Sequence, residues 1–418
     1  MKVKCVPLDF IGSGMAQDNL IQLRKIAVKT LAQVANSHQS LEQSFFEEIT
    51  RNTERTLPEF ERGWIYELCS GVIRFRGRID YIIDTYSLKK KPTGPLRRYL
   101  QTAVYQLLEQ DTPSALVVSE TVQAIGDSEG EAPSKFANAI LRKVADSRED
   151  WKNWKISAET PHAEQLAWSS LPDWLFFGLR KTRGLDWTLA FAKACLDRPR
   201  TWYRKLDDSE PFLLDAGYRG DEPLGFVQDI SNQMLLKEVV NYLKATGKEP
   251  ESLKILDLCS APGGKSLGLA ASGFHVVATD VDQDRMQKVM ENRSRLGFQK
   301  QMVIQPYKEI KNSPIQYDFI WIDAPCSSTG IIRRHPEVKW NRTEKEIEKL
   351  YATQAELLEW ASRHLKEDGA ILYSTCSVIA KENEPTLPSG IICKQAWEWF
   401  PHVAPFGDAI LAKLFKLN

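Results

Sequence analysis

From Asn19 to about Asp150 the apolar positions recur every three or four residues, the spacing of one face of a helix. Leu20, Leu23, Ala27, Leu31 and Val34 form one stripe, and Leu96, Leu100, Ala103, Val104, Leu107 and Leu108 a second. Phe136, Ala137, Ile140, Leu141 and Val144 form a third. Lys91-Pro92-Thr93-Gly94-Pro95 and Gly126-Asp127-Ser128-Glu129-Gly130 read as breaks between helices. The pattern predicts an all-α bundle.

Further along, the period shortens. Leu253-Lys254-Ile255-Leu256, Val276-Val277-Ala278, Phe319-Ile320-Trp321-Ile322 and Ala370-Ile371-Leu372-Tyr373 are short runs suited to buried strands. Helical stretches lie between them, Asp282 to Leu296 and Glu344 to Leu365, the latter with Ile347, Leu350, Leu357, Leu358 and Ala361 on one face. Strands alternating with helices predict a mostly parallel sheet covered on both sides, with ligands beyond the carboxyl ends of its strands. The resulting organisation is an extension over 1–17, a helical domain over 18–150, a connecting subdomain over 151–222 and an α/β domain over 223–418. The connecting part, rich in Trp and interrupted by Pro, names no chemistry.

Composition narrows this only a little. Among 418 residues, 43% are hydrophobic and 26% charged, as in globular chains. Lys+Arg and Asp+Glu both total 55, so any attraction to nucleic acid has to be local. The densest basic stretch is Arg74, Arg76, Arg78, Lys89, Lys90, Lys91, Arg97 and Arg98, against Asp80 and Asp84. It reads equally as a solvated face or an RNA-facing one. The seven cysteines form no CxxC pair, and the six histidines fall at no metal-ligand spacing, so neither a disulfide framework nor a metal site is expected. With no apolar leader at Met1 and no membrane-length apolar run, a cytoplasmic, soluble protein is expected.

The candidate chemistry sits at strand ends. The first strand runs into Asp257-Leu258-Cys259-Ser260-Ala261-Pro262-Gly263-Gly264-Lys265-Ser266. Glycines at a strand-to-helix turn let a ligand approach the backbone, and the helix start offers N–H donors. Asp280, 23 residues after Asp257, ends the next strand, where a carboxylate can take the ribose hydroxyls of an adenosine cofactor. A structural turn followed by a surface Asp is the plain alternative. A phosphate-binding NTPase loop would need glycine where Cys259 stands. A cofactor with a sulfonium and no phosphate suits the tighter turn better.

Two further strands end in Asp323-Ala324-Pro325-Cys326-Ser327-Ser328-Thr329-Gly330 and Ser374-Thr375-Cys376-Ser377. A lone cysteine is more often a small core residue than a nucleophile. Two at neighbouring strand ends, with a carboxylate three residues before one of them, fit a specific need. C5 of cytosine is too weak a nucleophile to attack a methyl sulfonium, and adding a thiolate to C6 turns the ring into an enamine whose C5 can. A carboxyl group at N3 assists, and the base must be unstacked to be reached. The residues alone do not choose between the thiols, because DNA cytosine methyltransferases use the one after proline.

These motifs, from about Phe226 to Asn383, resemble those of the bacterial Sun-type small-subunit rRNA cytosine-C5 methyltransferases. Gly330-Ile331-Ile332-Arg333-Arg334-His335-Pro336 is similar to that branch, and Glu67 to Arg78 resembles its NusB-like RNA-binding domain. The resemblance spans nearly the whole chain, most weakly over 151–222. It implies an α/β Rossmann-like S-adenosylmethionine-dependent methyltransferase domain preceded by an all-α NusB-like RNA-binding domain and, over 151–222, a connecting RNA-binding subdomain, acting as a monomer on rRNA without metal or membrane. It implies Cys376 as the C6 nucleophile, Cys326 assisting release and Asp323 holding the ring near N3 beside the cofactor. Cys259, Ser260, Ala261, Pro262, Gly263, Gly264 and Lys265 would form the cofactor turn, with Asp280 on the ribose and Arg285 supporting the loop. The chain departs from the family's pattern at Gln305-Pro306-Tyr307, where an adenine-side Asp is usual, at Trp202 to Lys205, and in a shorter segment after Asn383. A ribosome-assembly factor that keeps the fold without catalysis is the alternative; it would predict loss of a reacting group, and none is lost.

Overall fold

The computed structural model describes residues 17–52, 57–87, 90–110, 112–206, 212–213 and 225–418. They fall into two compact units. One takes the described residues up to Arg198 together with Ile332–Asn341; the other takes those from Pro199 to Ile331 with Arg342–Asn418.

The first unit is all helix. Its centre is Gln17–Ser37, whose stripe of Leu20, Leu23, Ala27, Leu31 and Val34 is fully buried. Around it pack Leu41–Asn52, Glu59–Arg74, Gly94–Glu109 and Ser114–Glu129, and Glu131–Asp146 packs on the last two. Burying each large aliphatic side chain contributes ~1.5–3 kcal/mol, so these stripes dominate the unit's stability. Gly71 marks the closest approach: a Cβ there would sit 1.9 Å from the Tyr105 ring. Arg24 is wholly buried, its guanidinium 3.3 Å from Glu120 and also donating to Thr102.

Two expectations change here. Gly126 does not break a helix: Ser114–Glu129 runs through it and stops only at Gly130, whose φ of +94° a side chain would resist. The basic stretch is not a free face either. Arg74 is buried and donates to Ser70 and to the Arg333 carbonyl. Arg97 bridges Asp80 and Asp84, while Arg76 pairs with Asp80 and Lys91 with Asp84. Two aspartates hold three of the cations because the fold brings Arg97 back onto their helix, Arg76–Tyr86. Lys89 lies outside the described residues.

Ile332–Asn341 follows the first cysteine loop in sequence yet belongs to this unit. Lys339 Nζ donates to the Arg74 carbonyl, Trp340 Nε1 to that of Ile73 and Asn341 Nδ2 to that of Gln39.

The second unit opens with a small antiparallel sheet, β1 (Trp202–Lys205), β2 (Phe212–Leu213) and β3 (Gly225–Val227). Its main sheet contains β4 (Ile255–Asp257), β5 (Val276–Ala278), β6 (Met302–Ile304), β7 (Tyr317–Asp323), β8 (Leu365–Thr375), β9 (Ile391–Trp399) and β10 (Ile410–Leu417). The spatial order is β6-β5-β4-β7-β8-β10-β9, parallel from β6 to β8 and antiparallel at β10. The alternation of β7 shows why both faces are covered. Phe319 and Trp321 pack with Leu235, Leu236 and Val239 of the helix Ile230–Ala245. Ile320 and Ile322 pack with Leu357, Leu358 and Ala361 of Glu344–Arg363, a helix started by a Thr343–Glu346 capping box. Strand order reverses between β4 and β7, so a crevice opens at their carboxyl ends, where such sheets bind ligands. No helix among the described residues is long and apolar enough to cross a membrane.

Candidate active site

The turn after β4 is held from beneath by backbone. Leu258 N–H donates to Trp321 O, Thr279 N–H to Asp257 O and Ser260 N–H to Thr279 O. Gly263 takes φ +99° and begins the helix Gly264–Ala271, and a Cβ on it would press on Val289 at 3.1 Å. Asp280, buried at the end of β5, accepts the Ala261 N–H at 3.1 Å and the Asp282 N–H at 3.0 Å. Arg285 donates to the Ala261 carbonyl at 2.6 Å. Cys259 through Lys265, Asp280 and Arg285 thus form one connected loop. Tyr307, the helix residue after the Gln305-Pro306 step, lies half-buried in the same cluster as Cys259.

Lys265 and Ser266, the pair that suggested an NTPase, are committed elsewhere. Ser266 Oγ donates to Asp257 Oδ2 at 2.5 Å, and Lys265 Nζ lies 2.6 Å from Asp323 Oδ2. Burial alone would lower the Lys265 ammonium, but Asp323 outweighs it and holds the group above its usual value. Asp323 is itself oriented, since Ser374 Oγ donates to its Oδ1 at 2.8 Å and Trp321 Nε1 donates to Ser374 Oγ at 3.0 Å. β7 and β8 align Asp323 with Ser374 in register, which makes this relay a consequence of the strand pairing.

The cysteines leave adjacent strand ends, and their Sγ atoms stand 3.3 Å apart. They are not equivalent. Cys326 is buried, and its hydrogen bond to Cys376, reinforced by desolvation, keeps it a thiol well above the ordinary range. Cys376 is more open; the hydrogen bond from Cys326 holds it below the ordinary thiol value against the cost of burial, with Ser328 and Lys265 adding to the effect. A thiolate stabilised by a thiol donor is the nucleophilic form. Cys259 is raised well above the usual thiol value by burial and then by the surrounding carboxylates, so it stays protonated.

Glu382 is the residue that sequence reasoning missed. Wholly buried in the short helix Ala380–Asn383, it accepts Ser327 N–H at 2.8 Å, Ser327 Oγ at 2.5 Å and Gln354 Nε2 at 3.1 Å. Ser327 Oγ is also 3.0 Å from Ser377 Oγ, so the residues following each cysteine meet over this one carboxyl group. Asn383 closes the second loop by donating to the Ser377 and Ile379 carbonyls while accepting from Thr375. The one sequence signal was an acid and an amide six and seven residues past Cys376.

With this geometry established, similarity to known proteins narrows the chemistry. Residues 243–402 match the model of the 16S rRNA methyltransferase RsmB/F family, and residues 21–146 match the NusB family. The chain is 32% identical to ribosomal RNA small subunit methyltransferase B of Citrobacter koseri, over 86% of this chain and 88% of that protein. It belongs to the RsmB/F family. The namesake protein of Escherichia coli O157:H7 is also 32% identical, with the same coverage of each chain. In fold, the chain is similar to the crystal structure of PH0851, with TM-score 0.65, 19% identity and 96% and 99% of the two chains covered. It is similar as well to a methyltransferase homologue from Pyrococcus horikoshii, with TM-score 0.50, 21% identity and coverage of 61% and 98%.

As an RsmB/F methyltransferase the chain uses S-adenosylmethionine, and the crevice fits that cofactor. Asp257 feels the charges of both Asp280 and Asp323, and three carboxylates at the turn stand against Lys265 and Arg285. Such a cluster complements a ligand carrying a sulfonium and an ammonium. Asp257 Oδ1 is buried without a hydrogen-bond partner among the described residues, and burial pushes that carboxyl up to about 7. A cationic ligand relieves both conditions.

Proposed function

We propose that this RsmB/F methyltransferase modifies C5 of a cytosine in small-subunit rRNA, with Cys376 as the covalent nucleophile. The observation that carries the reading is the thiol pair at 3.3 Å next to the Lys265–Asp323 ion pair; the downward shift of Cys376 favours it as the attacking sulfur. The names of the relatives supply the rRNA.

When bound at the Cys259–Lys265 turn, S-adenosylmethionine supplies an electrophilic methyl group. Cys376 Sγ bonds to C6 as the C5–C6 double bond opens, and the electron density gained by the ring makes C5 nucleophilic. Asp323 holds the N3 edge of the ring, and the Lys265 ammonium beside it offsets the negative charge that grows there. Once C5 carries the methyl group, solvent water takes the C5 proton. That electron pair re-forms the C5–C6 double bond as the Sγ–C6 bond breaks, its electrons leaving on Cys376 as a thiolate. Cys326 assists this release, since its S–H has no thiolate partner while Cys376 is alkylated. Asp280 and Arg285 act on the cofactor turn. The base enters unstacked, because C6 is not reachable by a side chain within a helix.

Incubating the protein with radiolabelled S-adenosylmethionine and unmodified small-subunit rRNA, then digesting to nucleosides, tests the reading. Label is expected in 5-methylcytidine. Label in another nucleoside, or none from a protein that binds the cofactor, contradicts it.

A further inference from the structure

The helical unit holds a cleft of about 750 Å³, within the ~300–1,000 Å³ range that encloses organic ligands. Six basic and two acidic side chains line it, in a chain whose net charge is zero. Three of the cations, Lys152, Lys155 and Lys193, are exposed and form no ion pair among the described residues. They come from the helices Arg148–Lys152 and Leu185–Leu196 and the segment between, largely beyond the part that matches NusB.

Aromatic surface lies among these charges. Trp154 is half-buried and stacks on Tyr81 with ring centres 5.3 Å apart, leaving part of the indole toward the cleft. Trp168 Nε1 donates to the Trp154 carbonyl at 3.0 Å. The Arg78 guanidinium lies 4.4 Å from the centre of the Trp168 ring, with Nε donating to the Trp168 carbonyl at 2.6 Å. Both indoles are therefore fixed before any ligand arrives, which reduces the entropy lost on binding.

We propose that this cleft binds a single-stranded segment of RNA, an unpaired base lying against the Trp154–Trp168 wall and phosphates meeting Lys152, Lys155 and Lys193. Unpaired cations attract the phosphodiester chain, and a flat aromatic face accepts any base that is not already stacked. A duplex hides its base faces and would use only the lysines. The acidic members, Glu109 and Asp197, are outnumbered three to one. The inference rests on the reading of the chain as an RNA-modifying protein. It places the phosphate-facing lysines on the connecting helices, beside Arg74 and Arg78 of the basic stretch, whose Arg76, Lys91 and Arg97 are held by Asp80 and Asp84.

The test uses the full chain and a fluorescent unstructured oligoribonucleotide, titrated at several salt concentrations. A Lys152→Gln, Lys155→Gln, Lys193→Gln variant is expected to weaken binding at least about tenfold at low salt. It should reduce the log–log salt slope by about 2, near 0.7 for each single-strand phosphate that the variant leaves without a lysine. Trp154→Leu should weaken binding with the slope unchanged, and an RNA duplex of equal length should bind the wild type more weakly. Unchanged affinity and slope in the triple variant, with thermal melting and S-adenosylmethionine binding intact, would overturn the proposal. So would equal affinity for the duplex. Methyl transfer is scored separately: lysine-dependent binding without transfer keeps the cleft and removes the proposed reaction. Transfer to rRNA with an unaltered salt slope does the reverse.

Discussion

Ser327 and Glu382, 55 residues apart in sequence, meet through two hydrogen bonds, backbone N–H to Oε1 at 2.8 Å and hydroxyl to Oε2 at 2.5 Å. Since Ser327 follows Cys326 and touches Ser377, which follows Cys376, this buried pairing fixes the spacing of both thiols. Glu382 touches no reacting atom and acts as a positioning residue.

Replacing Glu382 with Ala is expected to reduce kcat at least about tenfold, or about 1.4 kcal/mol in activation free energy. It should leave the KM for S-adenosylmethionine within about twofold, since the cofactor turn is built from other residues. Glu382→Gln, which retains one acceptor oxygen, should recover part of the loss. Steady-state kinetics on all three proteins checks this; equal kcat in the Ala variant would mean that the loops hold their spacing unaided.

How readily Cys376 ionises depends on its neighbour. Cys326→Ala removes the hydrogen bond that lowers Cys376, so alkylation of Cys376 should move to higher pH, while Cys326→Ser, which keeps a donor, should lie between. Mass spectrometry of the Cys376 peptide after iodoacetamide pulses across a pH series reads this directly. Identical profiles would show that Lys265 and Ser328 suffice.

Asp257 predicts a pH slope in stability. Its folded value of about 7 exceeds the ordinary 3.8, so between those values the folded chain binds more protons than the unfolded one. Stability from this group is highest at acid pH and falls as pH rises toward 7, then levels. Against the wild type, Asp257→Asn should gain melting temperature progressively from about pH 4 to 7. A constant difference across that window would refute the buried-carboxyl account.

Lys339 works in the opposite direction. Burial lowers it to about 7 from 10.5, with the Arg74 carbonyl its one hydrogen-bond acceptor among the described residues, so the charged form is penalised in the folded state. The penalty is complete below pH 7 and is relieved as pH rises toward 10.5. Lys339→Met should therefore be more favourable relative to wild type at pH 6 than at pH 9 in thermal melts. The reverse order would place the group in a more polar setting.

The sequence already showed the elements whose own residues state their role. Phe319-Ile320-Trp321-Ile322 reads as a two-faced strand because both faces are in fact apolar and covered. The glycine turn and the two cysteine loops read as chemistry because their residue types are costly to explain by packing. Pairings across the fold were not legible. Glu382 has partners 55 and 28 residues away, and nothing near it in sequence announces them. The basic run looked free because only tertiary packing returns Arg97 to Asp80 and Asp84. Lys152, Lys155 and Lys193 are too far apart to read as a patch; helix packing gathers them.

The most direct test of the mechanism is denaturing electrophoresis of each cysteine variant after incubation with rRNA and S-adenosylmethionine. Cys326→Ala, able to add but slow to release, should accumulate a slowly migrating protein–RNA species that survives denaturation, and Cys376→Ala should form none. If the retarded band instead comes from Cys376→Ala, the attacking sulfur is Cys326 and the polarity assigned to the pair is inverted.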